Sequence, residues 1–108
     1  MCIRDSYNKD GDAFNVGETF AGLPFGKGVE LADRIKAMKP EGISMVQLAL
    51  RWILDHDAVS TVIPGASSPQ QAMANGAVSD LSPLPKELHQ ALSDFYAAEV
   101  HEHIRGAY

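Results

Sequence analysis

The apolar positions of this chain fall into four helical stretches and one short extended one. From Val29 to Met38, Leu31, Ile35 and Met38 recur on one helical face, and Glu30 stands four residues before Arg34 on the other. Lys39-Pro40-Glu41-Gly42 stops that helix. Ser44 with Gln47 has the form of a capping box, and the spacing beyond it predicts a helix over 45–56 that is apolar nearly all round. Its continuous polar stripe is narrow: Gln47, Arg51 and Asp55, four apart. A helix with so little wet surface is packed on two sides, and Trp52 is expected to bury a large area there. His56, between Asp55 and Asp57, reads as a helix-end residue suited to the dipole at that end.

The pattern then changes period. Val59, Thr61, Val62 and Ile63 are β-branched and predict a buried strand over 59–64, ended by Pro64-Gly65. Ser68 before Pro69, with Gln71 three residues on, is a second capping box: hydroxyl onto the third amide, proline at the first helical position, carboxamide reaching back. It opens a helix over 69–79. Between strand and helix stand only Gly65, Ala66 and Ser67, all small. Unpaired amides at a helix start, beside two hydroxyls, suit a phosphate group. Gln71 and Asn75 lie one turn apart near that helix start, so their carboxamides share a face and suit adenine and ribose phosphate. A last amphipathic helix over 85–99 carries Leu88, Ala91, Leu92 and Phe95 inward, with Lys86, Gln90 and Asp94 outward. Pro85 takes its first position, and Leu84 stands where a serine cap is usual.

The run VSTVIPGASSPQQ from Val59 to Gln71, with the preceding QLALRWILDHDAVSTVIPGA from Gln47 to Ala66, resembles the last strand, loop and helix of the aldo-keto reductases. The likeness extends loosely from about Tyr7 to the end. It implies an α/β fold, here a C-terminal fragment of a (β/α)8 TIM barrel whose residues 29–108 belong to one incomplete oxidoreductase domain. It also implies a nicotinamide dinucleotide, NADP with NAD as the alternative, and a small carbonyl substrate reduced by hydride transfer. Positions matching Gly65, Ala66, Ser67, Ser68, Gln71 and Asn75 hold the adenosine phosphate and adenine in that family. The family's catalytic tyrosine, lysine, aspartate and histidine belong to earlier parts of the barrel. Tyr7, Tyr96 and Tyr108 do not match the catalytic position, so no catalytic residue is assigned and the segment alone is expected to be inactive. A barrel needs about 250 residues, and the 108 here are expected to be a piece of one.

Three departures from the family pattern bear on the ligand. Ser67 and Ser68 stand where many relatives carry an arginine or lysine for the 2′-phosphate, which weakens the case for NADPH over NADH. Ala74 stands where relatives often place a glutamate beside the asparagine. Gly76, inside the same helix, costs about 1 kcal/mol relative to alanine.

Charge and the rest of the chain narrow the classes. A net charge of −5, with nine basic residues and no basic run, argues against nucleic acid or an acidic membrane surface as partner. The apolar runs are too short for a membrane span. One cysteine and no secretory h-region make a cytoplasmic setting the expectation. Residues 1–6, MCIRDS, lack periodicity and read as a non-native leader, and residues 7–28 as a long glycine-rich loop. Asn8, Asp10 and Asp12 begin like a calcium loop, but Ala13 and Thr19 stand where a glycine and a bidentate glutamate are needed. His101 and His103 diverge on a helix and lack a third ligand of suitable spacing, so no metal is expected. Nothing in the sequence fixes the oligomeric state. Two alternatives to a reductase segment remain open: a non-catalytic nucleotide-sensing or interaction protein on the same barrel, and a free-standing helical module without a ligand.

Overall fold

The computed structural model describes residues 22–104. The predicted loop's first part, the calcium-like pattern and the leader lie outside them. The chain divides into two compact units, Met38–Gln90 and the pair of segments Met1–Ala37 with Ala91–Tyr108. Four α-helices run α1 Phe25–Met38, α2 Met45–Leu54, α3 Pro69–Ala77 and α4 Lys86–Phe95. None of the helices among the described residues is long and apolar enough to cross a membrane.

Within the unit of residues 1–37 and 91–108, α1 begins four residues earlier than its apolar spacing predicts, so residues 25–28 are helix and not loop. The turn carries two glycines, yet the Gly28 N–H donates to the Pro24 carbonyl at 2.9 Å and Lys27 pairs with Glu30 at 3.2 Å across it. Leu23 and Leu31 are buried. Arg34 does not pair with Glu30. Its guanidinium binds Glu99 through both nitrogens, Nη1 to Oε2 at 2.9 Å and Nη2 to Oε1 at 3.1 Å, and lies 4.9 Å from the Phe95 ring centroid. Beyond Phe95 the helix loosens into a π-helical turn, Tyr96–Val100, then a 3-10 turn, His101–His103.

The unit of residues 38–90 holds α2, α3 and the chain that joins them. Gly42, with φ at 83°, makes the turn into α2 in a conformation that only glycine adopts easily. Both halves of the Ser44 box form: the Gln47 N–H donates to Ser44 Oγ at 3.1 Å, and the Ser44 N–H to Gln47 Oε1 at 2.8 Å. Leu48 and Leu50 are buried on α2, and Val78, in the 3-10 turn that extends α3, is 1% exposed. Trp52 is 39% exposed, so the expected burial of its ring is not found. Its edge meets His56 at 4.4 Å between centroids, and His56 Nδ1–H donates to the Trp52 carbonyl at 2.8 Å, covering a carbonyl that the helix leaves free.

Residues 59–64 form no strand among the described residues, contrary to the β-branched pattern, and Ile63 is 91% exposed. A strand is defined by a ladder, and a barrel strand needs a neighbour on each side. Without a neighbour among the described residues, β-branched side chains alone do not create one. The other boundaries differ in detail. α2 ends at Leu54, two residues short of the predicted 56. α3 gives way at Ala77 to the 3-10 turn Val78–Asp80.

The unit is tied together at Asp55, whose side chain is 6% exposed. Arg51 Nε donates to Oδ1 at 2.7 Å, while the Leu84 N–H and His89 Nε2–H both donate to Oδ2 at 2.8 Å. Arg51 Nη1 reaches on to the Leu81 carbonyl at 3.1 Å. The stripe that reads as a wet face therefore joins the end of α2 to the 81–84 crossing and the first turn of α4. Leu84 replaces a serine cap because its amide is given to Asp55 and its side chain to the interior. Burial pushes the Asp55 carboxyl up, but the hydrogen bonds from His89, Leu84 and Arg51 outweigh it and hold the carboxyl below its ordinary 3.8.

Replacing Asp55→Asn should cost about 3 kcal/mol of unfolding free energy at neutral pH, read from urea midpoints of the chain. A depressed carboxyl contributes in full above the unfolded aspartate value, about pH 4, and its contribution drains away as pH falls through the lower folded value. The gap between wild type and variant should hold at about pH 5 and shrink steadily toward about pH 2; a gap undiminished in acid would contradict the tie. At Gly76 a Cβ would meet no atom within 4 Å beyond its own chain neighbours and its helix's own backbone. Gly76→Ala should therefore stabilise the chain by roughly 0.5–1 kcal/mol in the same melts, and a loss of stability would refute that.

Candidate functional site

The start of α3 is built from its own side chains. Ser68 is extended, with φ at −147° and ψ at 156°, and its Oγ accepts the Gln71 N–H at 3.2 Å. Pro69 takes the first helical position, where a missing N–H costs nothing. The second half of the predicted box differs. Gln71 does not reach the Ser68 amide; its Oε1 accepts the Ser67 N–H at 2.7 Å and Ser67 Oγ at 3.0 Å. One turn on, Asn75 Nδ2 donates to the Gly65 carbonyl at 3.3 Å. The loop from Gly65 to Ser68 is thus held against the helix that follows it by Ser68, Gln71 and Asn75.

That loop faces outward: Gly65, Ala66, Ser67 and Gln71 are exposed, and Ser68 and Asn75 are half-buried. An open cleft of about 510 Å³ is lined by Ser44, Val46, Gln47, Gly65, Gln71, Ala74 and Asn75. It brings together Gly65, Gln71 and Asn75 of the six residues picked from the sequence. A second cleft of about 350 Å³, with Leu50, Leu54 and Val62 among its walls, takes in Ala66 and Asn75. Ser67 and Ser68 line neither and act through Gln71. The first cleft better suits a nucleotide, since it sets carboxamides and an apolar platform together within the size range of small-molecule sites. Gly76 lines only the second.

Sequence reasoning missed the other wall of the first cleft. Ser44 and Gln47 read there only as caps, and Val46 only as one more apolar residue of α2. Val46 is 59% exposed, whereas Leu48 and Leu50 on the same helix are buried. A signal existed in the repeated Ser-x-x-Gln at 44–47 and 68–71: two helices that start alike, joined by a helix and a short extended return, can bring their first turns together.

The cleft is lined by neutral residues throughout. Between Asp57 and Lys86 the sequence has one charged residue, Asp80, and no Lys, Arg or His. Among the described residues no group of three His, Cys, Asp or Glu is placed to hold a metal ion. His103 pairs with the neighbouring Glu102, at 3.4 Å.

The profile of the aldo/keto reductase family matches residues 3–97 of the 108. No curated protein and no solved structure matches the chain. The family profile spans the Ser68 helix start, the Gln71 and Asn75 turn and both walls of the cleft, and the chain belongs to the aldo/keto reductase family.

Proposed function

We propose that this chain grips the adenosine-phosphate end of a nicotinamide dinucleotide, NADP or NAD, for a (β/α)8 reductase that converts aldehydes or ketones to alcohols. The observation that carries the reading is the convergence of Gly65, Gln71 and Asn75 with Ser44, Val46 and Gln47 on one open cleft beside the start of α3, in a chain of this family. The residues present fit such a group. Ser67 gives both its amide and its hydroxyl to Gln71 Oε1, which fixes the loop beside the cleft. Gln71 and Asn75 offer both donors and acceptors, and Val46 gives an apolar surface against which a flat base can lie.

When bound, the dinucleotide supplies the hydride chemistry. The work of this chain's residues is to hold and orient. The Gly65–Ser68 loop is kept in one conformation by Gln71 and Asn75 before any ligand arrives, so little backbone ordering is left to do on binding. Reduction of a carbonyl also needs an acid poised at the carbonyl oxygen, and that role is assigned to no residue of this chain. The reading is therefore a binding role within a reductase, with turnover expected only where the acid is present.

Calorimetric titration of NADH and NADPH into the chain should show binding that weakens about 3- to 30-fold in Asn75→Ala and in Gln71→Ala, the worth of one or two hydrogen bonds. Met73→Ala, on the same helix but 75% exposed and outside both clefts, should leave affinity unchanged. Unaltered affinity in both carboxamide variants would count against the assignment.

A further inference from the structure

The two sides of α2 are held by different means. At the helical spacing, Val46, Leu50 and Leu54 fall on one stripe, while Arg51 and Asp55 fall on another. The first stripe lines the clefts, Val46 the first and Leu50 and Leu54 the second. The other stripe is fastened to the chain beyond α3: Arg51 to the Leu81 carbonyl, Asp55 to the Leu84 N–H and to His89. Asp55 stands nine positions after Val46 in the sequence. At about 100° per residue the two therefore project from opposite sides of the helix. We infer that Asp55 is a positioning residue for the first cleft: by fastening the far side of α2 it holds Val46 in place as the apolar wall, and so sets how tightly the cleft takes its ligand. This rests on the cofactor reading of the cleft and adds to it a residue that lines neither cleft.

Val46 is more than half exposed, so packing over its own side chain does little to keep it in place. The burial of Leu48 and Leu50 holds α2 down, but apolar contacts are non-directional and tolerate a small roll. Hydrogen bonds tolerate it less, because they weaken as donor and acceptor lose alignment. Arg51 Nε–H takes Asp55 Oδ1 at 2.7 Å and thereby aims Oδ2 at the Leu84 N–H and His89 Nε2–H, both at 2.8 Å. A roll of α2 in either sense strains these last two bonds or the one from Arg51 to Leu81.

Small rolls matter at the other face. Side chains reach about 5–6 Å from a helix axis, so a roll of about 10° moves the Val46 methyls by about 1 Å. A gap of that size forfeits roughly a quarter to a half of the contact with anything laid against them. Asp55→Asn is the matching perturbation. It keeps the side-chain shape but replaces one acceptor oxygen with a donor, and neither the Arg51 Nε–H nor the Leu84 N–H can accept from it.

The experiment is a double-mutant cycle on the full chain, read by calorimetric titration of NADPH and of NADH into wild type, Asp55→Asn, Val46→Ala and the double variant. Titrations are run at a temperature where melts show each protein folded. Asp55→Asn and Val46→Ala should each weaken binding about 3- to 10-fold, and the double variant should bind within about twofold of Val46→Ala alone. Where Asp55→Asn does not melt cooperatively, His89→Ala takes its place in the cycle, removing one of the three donors with the same expected outcome. Unchanged affinity in the folded Asp55 or His89 variant overturns the inference and leaves the cofactor reading standing. Effects that multiply in the double variant overturn it as well, because a general loosening of the unit would add to the loss of Val46, whereas an effect exerted through Val46 cannot. If neither dinucleotide binds a wild-type chain that melts cooperatively, the cofactor reading itself falls, and this inference with it.

Discussion

A single carboxylate closes the unit of residues 38–90. Asp55 receives three hydrogen bonds from three separate parts of the chain: the helix it terminates, the crossing at Leu84 and the first turn of α4. Each donor would be costly to bury alone, and together they leave the carboxylate with its charge compensated. An aspartate at a helix C-terminus opposes the helix dipole, so this one is not there to stabilise α2 locally. Its return comes from tertiary structure. With Arg51 stretched between Asp55 and the Leu81 carbonyl, the end of α2 is fixed against residues 81–89. Among the described residues no buried side-chain nitrogen or oxygen lacks a partner. A polar tie of this kind fixes direction as well as distance, which apolar contacts between Leu48, Leu50, Val78 and Leu84 do not.

The cleft depends on the opposite end of the same helix. Ser44 and Gln47 satisfy each other at the start of α2, and Val46 between them is left facing out. α3 begins with a similar device, used differently. There the carboxamide passes over its own cap to Ser67, and the loop is gathered onto the helix. The difference has a physical cause. Ser44 precedes its helix with an amide free to donate the return bond, whereas the Ser67-Ser68-Pro69 turn offers Gln71 an amide and a hydroxyl on one residue, which outbid a single amide at Ser68.

Much of this was legible in the sequence, in proportion to how local the cause was. The Ser44 box, the hydroxyl half of the Ser68 box, the helix starts at Met45 and Pro69 and the stop near Gly42 are set by residues within one turn of each other, and form as the pattern predicts. The family resemblance carried by Gln47–Gln71 held, because it rests on order and spacing and not on any one contact. What failed were statements about partners far along the chain. Arg51 and Asp55 look like a solvated i,i+4 pair until Leu84 and His89 are brought to them, some thirty residues on. Trp52 looks like core, but a ring is buried only if something covers it. Val59–Ile63 has the composition of a strand, and composition cannot supply the neighbouring strand that hydrogen bonding requires. The early start of α1 escaped for the reverse reason: residues 7–28 read as one glycine-rich loop, and the contacts of Pro24 and Lys27 that make 25–28 helical are weak singly.

α2 therefore carries two duties, one at each end. Its start forms one wall of the cleft; its end is held by Asp55. A ten-residue helix is too short to be stable by propensity alone, so the placement of Val46 and Gln47 depends on anchoring elsewhere. Leu48 and Leu50 supply part of that anchoring, and the Asp55 tie fixes the rotation of the helix about its axis, because a carboxylate bonded to both Leu84 and His89 cannot turn without breaking one of them. A rotation of α2 by one residue position, about 100°, would carry Val46 away from Gly65, Gln71 and Asn75 and remove the apolar wall. The buried carboxylate and the open cleft are, in that sense, one construction: the fixed rotation at Asp55 is what lets a solvent-exposed valine keep a defined position beside Asn75 without being packed there.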